Sequence, residues 1–449
     1  MKLFDSAIII LIAVFLCVGC KKDKQIELSQ LEKVNEFIHE SMSTNYYWAD
    51  QMPELSSHEH TDSKAYFDKL LYSSIDKWSF ITSDYQGLVD YFNGVRKEYG
   101  YSVRPALISE GSSDWIGFIE FVYPNTPASR ANLKRGDIII EVNGHSLNKN
   151  TYAELFDNES ISLTLGTMKS GVAEPLDQPI VLSPEEIHIN PILKTHVQDR
   201  DGHIIAYLAY TSFISSLSAD LESLFAEFKE QGVQDLILDL RYNGGGSVAT
   251  AKLLASMIGP SSIADEVFIR SSYNNTVSDY LATKYPDDES IFIDRFLKHP
   301  NNLSLQNLYV LTTSSTASAS EMLIYALAPY MNVVQIGEKT HGKYYGSITI
   351  NDPDSDHGWA IQPIVMKAEN VNNSIDYSIG LSPQIQMYDS FYAELGADDD
   401  PFMNAAFNLI NNSGEDNEVF KSSSSKMQYI SMPKPYEHPL ENKMYLSLP

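Results

Sequence analysis

Only two cysteines occur in the 449 residues, Cys17 and Cys20, so no disulfide framework can hold the body of the chain. Basic residues are scarce: 32 Lys and Arg stand against 59 Asp and Glu, a net charge of −27. Binding to nucleic acid calls for basic stripes, so it is excluded as a partner, and the acidity reads as a solvated surface. After residue 20 no long apolar run recurs; the first, Ala7 to Val18, is too short and wrongly flanked for a spanning helix. No Lys-Ser/Thr follows the one glycine cluster and its spacing is not GxGxxG, which weakens a phosphate cradle. No metal, nucleotide or other cofactor is called for. What is present suffices for folded cores: 43% hydrophobic and 11% aromatic residues, in a length that allows about two to four domains of roughly 100–200 residues.

The opening "MKLFDSAIIILIAVFLCVGCKKDK" has one early Lys, an apolar h-region and then Gly19-Cys20, which reads as a signal peptide over 1–19. A plain secretory signal is one reading. The ending "LCVGC" also resembles a bacterial lipobox, with Leu16 one place early, which implies lipidation of Cys20. The polar tether "KKDK" follows, and the expected location is the cell envelope, lipid-anchored and facing periplasm or cell surface.

Leu28, Leu31, Val34 and Ile38 recur at helical spacing, and with "KAYFDKLLYSSIDKWSFI" they predict an N-terminal helical domain over 20–96. From 97 to 182 the texture is short strands and turns, with Asn143-Gly144 as a tight-turn signal. From 183 to 412 strands alternate with helices: "HIIAYLAYTSF", "LSADLESLFAEFKEQG", "VQDLILDLRYNGGGSVATAKLLASMIG" and "NLYVLTTSS". That alternation predicts crossover units on a mostly parallel sheet. Residues 268–305 read as an insertion over one edge. Residues 413–449, with Ser422 to Ser425 and scattered prolines, read as a linker and a loosely held tail.

Two corners carry chemistry. In "DLRYNGGG", Asp239 to Gly246, three glycines between a strand and a helix let bare N–H groups point at a ligand. In "TASASE", Ser318 sits between Ala317 and Ala319, so nothing bulky hides it, and the following helix aims its positive end at an anion forming there. A serine hydroxyl needs a base in reach. "THGKYYG" offers Lys343, which serves only if burial lowers its pKa toward neutrality, and His341 lies beside it. Ser314, Ser315 and Ser320 read as caps or solvent-facing groups. Glu321 reads as a first-turn acid that meets the dipole or a neighbouring loop, and Arg241 and Asn243 as braces of the loop.

Residues 97–182 resemble a PDZ domain through Pro127-Ala128, Gly136-Asp137 and Asn143-Gly144. The resemblance implies that "YGYSV" holds a peptide C-terminus at Tyr99, Gly100 and Tyr101. "LILDLRYNGGG", "TASASE" and "GEKTHGK", in that order and followed by "GLSPQIQM", resemble the C-terminal processing, or tail-specific, serine peptidases. That likeness implies an α/β and α+β multidomain chain: an N-terminal helical domain, a PDZ domain and a ClpP/crotonase-like α/β catalytic core. It implies Ser318 as nucleophile and Lys343 as general base, 25 residues apart as in the family. It also implies an oxyanion hole from the N–H groups of Ala319 and of Gly244 or Gly245. Ser347 stands where the family often has Gln to orient the lysine, and is the possible third member. His341 stands in an aromatic slot before "GK" and leaves a His-based triad open. The activity implied is endopeptidase cleavage of polypeptides near their C-terminal tails. Two other readings stay open: a non-catalytic peptide-binding lipoprotein, and a crotonase-like thioester enzyme.

Overall fold

Four apolar runs become neighbouring strands in the computed structural model: His203–Tyr210, Asp235–Asp239, Asn307–Thr312 and Asn332–Gly337. They pair in parallel in that order, Ile385–Gln386 extends the far edge in parallel, and Ile192–Arg200 closes the near edge antiparallel. The described residues are 29–108, 114–156, 159–169, 172–176, 178–200, 202–372, 377–411, 430–431 and 444–446. The signal peptide over 1–19 and Cys20 lie outside them. Among the described residues no helix is long and apolar enough to cross a membrane.

The central strands are apolar on both faces because both are covered. Leu208, Leu236, Leu238 and Val310 face the helices Ser218–Glu230, Val248–Ile258 and Ala319–Leu327. Tyr207, Ile237, Tyr309 and Leu311 face the helix Pro401–Asn411 through Phe402, Met403 and Phe407. The expected parallel sheet is therefore present. It has a consequence for chemistry: the glycine corner, the serine corner and the lysine loop leave the carboxyl ends of three adjacent parallel strands. Crevices outside such strand ends are where open α/β sheets take ligands.

A second six-stranded sheet runs in the order Gly246–Ser247, Met444–Tyr445, Tyr345–Ser347, Ile364–Glu369, Val267–Tyr273, Ile293–Arg295. Two expectations are corrected by it. The 268–305 stretch is not simply an insertion, since Val267–Tyr273 is an interior strand with Phe268 and Ile269 fully buried. Within the tail, Met444–Tyr445 is not loosely held either: it lies inside this sheet with Met444 fully buried. Scattered prolines and serines conceal so short a strand.

The PDZ segment forms its own sheet, ordered Ile430–Ser431, Tyr101–Leu107, Trp115–Val122, Ile138–Val142, Ile161–Lys169, Val172–Pro175. Asn143 and Gly144 both take positive φ (53° and 77°), as the tight hairpin turn requires. The N-terminal helices Gln30–Asn45 and Ser63–Leu70 bury Val34, Ile38, Met42, Tyr66 and Phe67 against Tyr345, Ile361 and Ile364 of the core. The strand Phe80–Thr82 pairs with Ala360–Gln362. The helical region thus shares one apolar cluster with the core.

Candidate active site

The glycine corner is held from beneath by a buried ionic knot. Arg241, wholly buried, donates to both carboxylate oxygens of Asp239 (3.0 and 2.6 Å) and to Asp400 Oδ2 (2.7 Å). Asn243 then fixes the loop: its Nδ2 donates to the Tyr210 carbonyl (2.9 Å) and its Oδ1 accepts from Gly245 N (2.9 Å). Both residues brace the loop in the way the sequence reading assigns them. Gly246 has φ of 136°, and a Cβ there would lie 2.3 Å from the Phe213 carbonyl oxygen, so no side chain fits.

The serine corner is stapled to that loop. Thr316 Oγ1 donates to the Leu240 carbonyl (2.7 Å), Thr313 Oγ1 to the Arg241 carbonyl, and Ala317 N and Ser320 Oγ both donate to the Asn243 carbonyl (3.0 Å each). Ser318 itself sits at φ 64° and ψ −114°, a strained region for a residue with a β-carbon. Its hydroxyl is buried and has no hydrogen-bond partner among the described residues. Buried polar groups are nearly always satisfied, so an orphaned hydroxyl on a strained corner marks a working site rather than a structural one.

The lysine loop folds back over this corner and is captured by Glu321. Glu321 is one helical turn past Ser318 and wholly buried. Its Oε2 accepts from Ser318 N (2.8 Å) and from Lys343 N (2.9 Å), and its Oε1 from Gly342 N (2.7 Å) and Thr340 Oγ1 (2.5 Å). Legs of 2.8 and 2.9 Å to one oxygen atom cap the separation of the two main-chain nitrogens at 5.7 Å. His341 N donates to the Thr316 carbonyl (3.0 Å), a second tie between loop and corner. Gly342 has φ of 96°, and a Cβ there would lie 2.4 Å from the Ser378 carbonyl oxygen; a Cβ on Gly380 would lie 2.0 Å from that of Thr340. The Lys343 side chain is fully buried, its Nζ 6.0 Å from the centroid of the Trp78 ring.

Burial pushes the Glu321 carboxyl from an ordinary 4.5 up to about 7, against the pull of its four donors. Between those values the folded chain holds a proton that the unfolded chain releases. The contribution therefore favours folding below about pH 4.5 and is lost as pH rises through about 7. Glu321→Gln has no titrating group and loses two acceptor sites at any pH. Relative to the parent it is expected to gain about 3 kcal/mol between pH 4.5 and pH 8, read as a narrowing Tm difference in thermal melts. A Tm difference that stays constant with pH would show that this carboxyl titrates normally.

The structure brings most of the expected residues together. Ser318, Lys343, Ala319 and the glycine loop meet at the carboxyl ends of the central strands, tied by Glu321 and Asn243. Gly245 N is spent on Asn243 Oδ1, whereas the N–H groups of Gly244 and Ala319 find no acceptor among the described residues. Ser347 donates its hydroxyl proton to the Met444 carbonyl (3.0 Å) and accepts from Gln362 Nε2 (3.0 Å), which leaves it a second lone pair. Gln362, fully buried, was not singled out from the sequence; it lies 19 residues past Lys343, and no local spacing signals it. The Glu321 clamp did carry a signal, the S-x-x-E spacing of a capping box, of which only the carboxylate half forms.

In the PDZ unit, Tyr99 and Gly100 offer their carbonyls to Ala128 N (3.0 Å) and Tyr123 N (2.9 Å), and the Tyr99 and Tyr101 rings stack with centroids 5.7 Å apart. Gly100 at φ 86° would place a Cβ 2.3 Å from Thr126. The loop is thus strapped over the turn that opens the Pro127–Arg130 helix. Two arginines join this unit to the core. Arg104 pairs with Glu120 (2.8 Å) and donates to Ser315 Oγ (2.7 Å), three residues before Ser318. Arg135 pairs with Asp389 (2.5 Å) and donates to Tyr242 Oη (2.6 Å) in the glycine corner.

Three family models match along the chain: the peptidase S41 N-terminal domain over 33–80, a PDZ domain over 118–165 and peptidase family S41 over 204–386. A chloroplastic C-terminal processing peptidase of Tetradesmus obliquus is 28% identical over 281 residues, 59% of this chain and 55% of that protein. The carboxy-terminal processing protease CtpA of Bacillus subtilis (strain 168) is 27% identical over 274 residues, 60% of this chain and 53% of that one. The chain therefore spans only about half the length of these curated relatives. Among solved structures, a Bacteroides fragilis NCTC 9343 protein assigned to the S41 proteases superposes with a TM-score of 0.68 at 25% identity, over 84% of this chain and 98% of that one. The photosystem II D1 C-terminal processing protease shares the fold, with a TM-score of 0.50 at 19% identity, over 80% of this chain and 94% of that one. With its N-terminal domain, its PDZ domain and its core each matched in that order, the chain belongs to peptidase family S41.

Proposed function

We propose that the protein is a serine endopeptidase that engages polypeptides by their C-terminal tails and cleaves near them, with Ser318 as nucleophile and Lys343 as general base. The observation that carries this reading is the shared carboxylate oxygen of Glu321, which holds the main chains of both residues beside a buried serine hydroxyl that has no partner among the described residues. In the reaction, Lys343 Nζ takes the Ser318 Oγ proton as Oγ bonds to the scissile carbonyl carbon. The N–H groups of Ala319 and Gly244 receive the resulting oxyanion. Lys343 then returns the proton to the departing amine as the C–N bond breaks. Water, deprotonated by the same amine, releases the acyl group and restores the hydroxyl. In this reading Ser347 steadies Lys343 through the remaining lone pair of its hydroxyl, which Gln362 and the Met444 carbonyl hold in place.

In this reading the PDZ unit captures the substrate carboxylate at Tyr99–Tyr101, and a lipid on Cys20 tethers the enzyme to a membrane of the cell envelope, facing periplasm or cell surface. Carboxylate capture by N–H groups uses charge-assisted bonds of roughly 1.5–3 kcal/mol. A peptide with a free apolar C-terminus is thus expected to show kcat/KM about 10–100-fold above its amidated twin. Equal rates would remove C-terminal recognition from the proposal. Failure of either peptide to be cut, together with no labelling by a serine-reactive fluorophosphonate, would sink the peptidase reading itself.

A further inference from the structure

Two places in this fold offer backbone to an incoming extended peptide, and both are filled by one stretch of the chain. The first is the edge of the PDZ sheet. Tyr101–Leu107, the strand that leaves the Tyr99–Tyr101 loop, pairs antiparallel with Ile430–Ser431, matching Leu107 to Ile430 and Ala106 to Ser431. Each step forward along the segment is a step back along Tyr101–Leu107 toward that loop. An extended peptide whose carboxyl end approaches the loop would add with the same polarity.

The second place is the crevice between the glycine corner and the lysine loop. Gly246–Ser247 begins two residues after Gly244, and Tyr345–Ser347 begins two residues after Lys343. These two strands do not pair with each other: Met444–Tyr445 lies between them and pairs with both. Met444 is opposite Gly246, Tyr445 is opposite Ser247 and Ser347, and Leu446 N donates to the Ser347 carbonyl (3.0 Å). The Met444 carbonyl takes the Ser347 hydroxyl proton. The Met444 side chain is fully buried in the main apolar cluster, and the Tyr445 ring stacks on Phe92 with centroids 4.1 Å apart.

We propose that Ile430–Ser431 and Met444–Leu446 are intramolecular peptide ligands, seated where a substrate would lie on the PDZ edge and between the strands that follow the glycine corner and the lysine loop, so that a substrate enters by displacing them. The proposal rests on the peptidase reading for the identity of the crevice. It follows from main-chain valence: each N–H and each strand edge serves one partner at a time. The seated residues also describe the class of peptide the crevice takes, an extended strand with an unbranched apolar side chain followed by an aromatic one. Each contact is only a two-residue strand, short enough to be exchanged. A resident occupant lowers apparent affinity by the fraction of molecules in which the site is open. A segment bound in all but about 1–10% of molecules imposes a 10–100-fold penalty.

The test uses the full chain carrying Ser318→Ala, so that binding is read without cleavage. The probe is a fluorescein-labelled extended peptide with a Met-Tyr pair and a free apolar C-terminus, followed by anisotropy. Adding Met444→Glu places a charge in the apolar seat and is expected to lower the apparent Kd about 10–100-fold. The capped peptide acetyl-ENKMYLSLP-amide, copied from residues 441–449, is expected to compete with the probe at lower concentration on the Met444→Glu protein. A second measurement needs no folding of that variant: hydrogen exchange of the Ser318→Ala protein saturated with probe peptide. The fragment bearing Leu446 should lose protection while those bearing Gly246–Ser247 and Tyr345–Ser347 keep theirs. A Leu446 fragment that stays protected under saturating peptide, or equal Kd values in both proteins, overturns the proposal. Displacement without any hydrolysis by the parent protein overturns only the peptidase reading, and absence of peptide binding overturns both.

Discussion

Ser318→Ala is expected to reduce kcat for peptide hydrolysis by about 10⁴–10⁶ while raising Tm by a few degrees. The rate loss is the size seen when a nucleophile is removed from a unit that acts through it, because the remaining donors still bind the substrate but no acyl bond forms. The direction of the stability change comes from the same atom. The Ser318 hydroxyl is buried and unpartnered among the described residues, and a buried polar group in that state costs about 1–3 kcal/mol. Alanine removes that cost and keeps the β-carbon, so the strain at φ 64° is unchanged. A purely structural serine would behave oppositely: its loss would lower Tm and leave the rate near the parent's. Cleavage within tenfold of the parent, measured by mass spectrometry on a defined peptide, would remove Ser318 from the reaction.

The second large effect is expected at Lys343. Lys343→Met keeps a long unbranched side chain in the buried slot beside Trp78 but has no lone pair that can take a proton. We expect kcat to fall by about 10³–10⁵, with little change in KM, since in the proposed reaction the amine acts on the hydroxyl and not on substrate binding. Lys343→Arg separates this role from that of a fixed positive charge. A guanidinium does not deprotonate in proteins, so it restores charge without restoring a base. The arginine variant should therefore be as inactive as the methionine variant. Recovery of even a hundredth of parental kcat with arginine would show that the position supplies charge rather than proton transfer.

Much of this was legible because it is local. The runs "DLILD" and "NLYVLT" are continuously apolar between polar ends, which fits strands covered on both faces, and both become central strands. The Asn143-Gly144 turn follows from two residues that tolerate positive φ. What could not be read depends on contacts between distant segments. A first-turn acid at Glu321 is expected to meet the dipole or a neighbouring loop, and it grips a loop; that the loop is the one carrying Gly342 and Lys343 follows only from the chain after Gly337 folding back over the corner. Gly244 and Gly245 are distinguished by one side chain, Asn243, whose Oδ1 accepts from Gly245 N. Val267–Tyr273 was passed over because only its first half is apolar, and the polar half is held by pairing to Ile364–Glu369. Met444 escaped notice because a single buried methionine among prolines and serines has no periodicity to betray it.

The crossing of Gly342 and Gly380 bears on how the site could ever open. Gly342 lies against the Ser378 carbonyl and Gly380 against the Thr340 carbonyl, leaving no room for a methyl group on either side. Thr340 reinforces the joint, its amide donating to the Leu381 carbonyl (3.1 Å) and its hydroxyl accepting from Leu381 N (2.7 Å). The lysine-bearing arm and the 378–381 stretch are therefore splinted together. A force on the lysine arm is thereby shared with residues 378–381, and parting the two would break both Thr340–Leu381 hydrogen bonds.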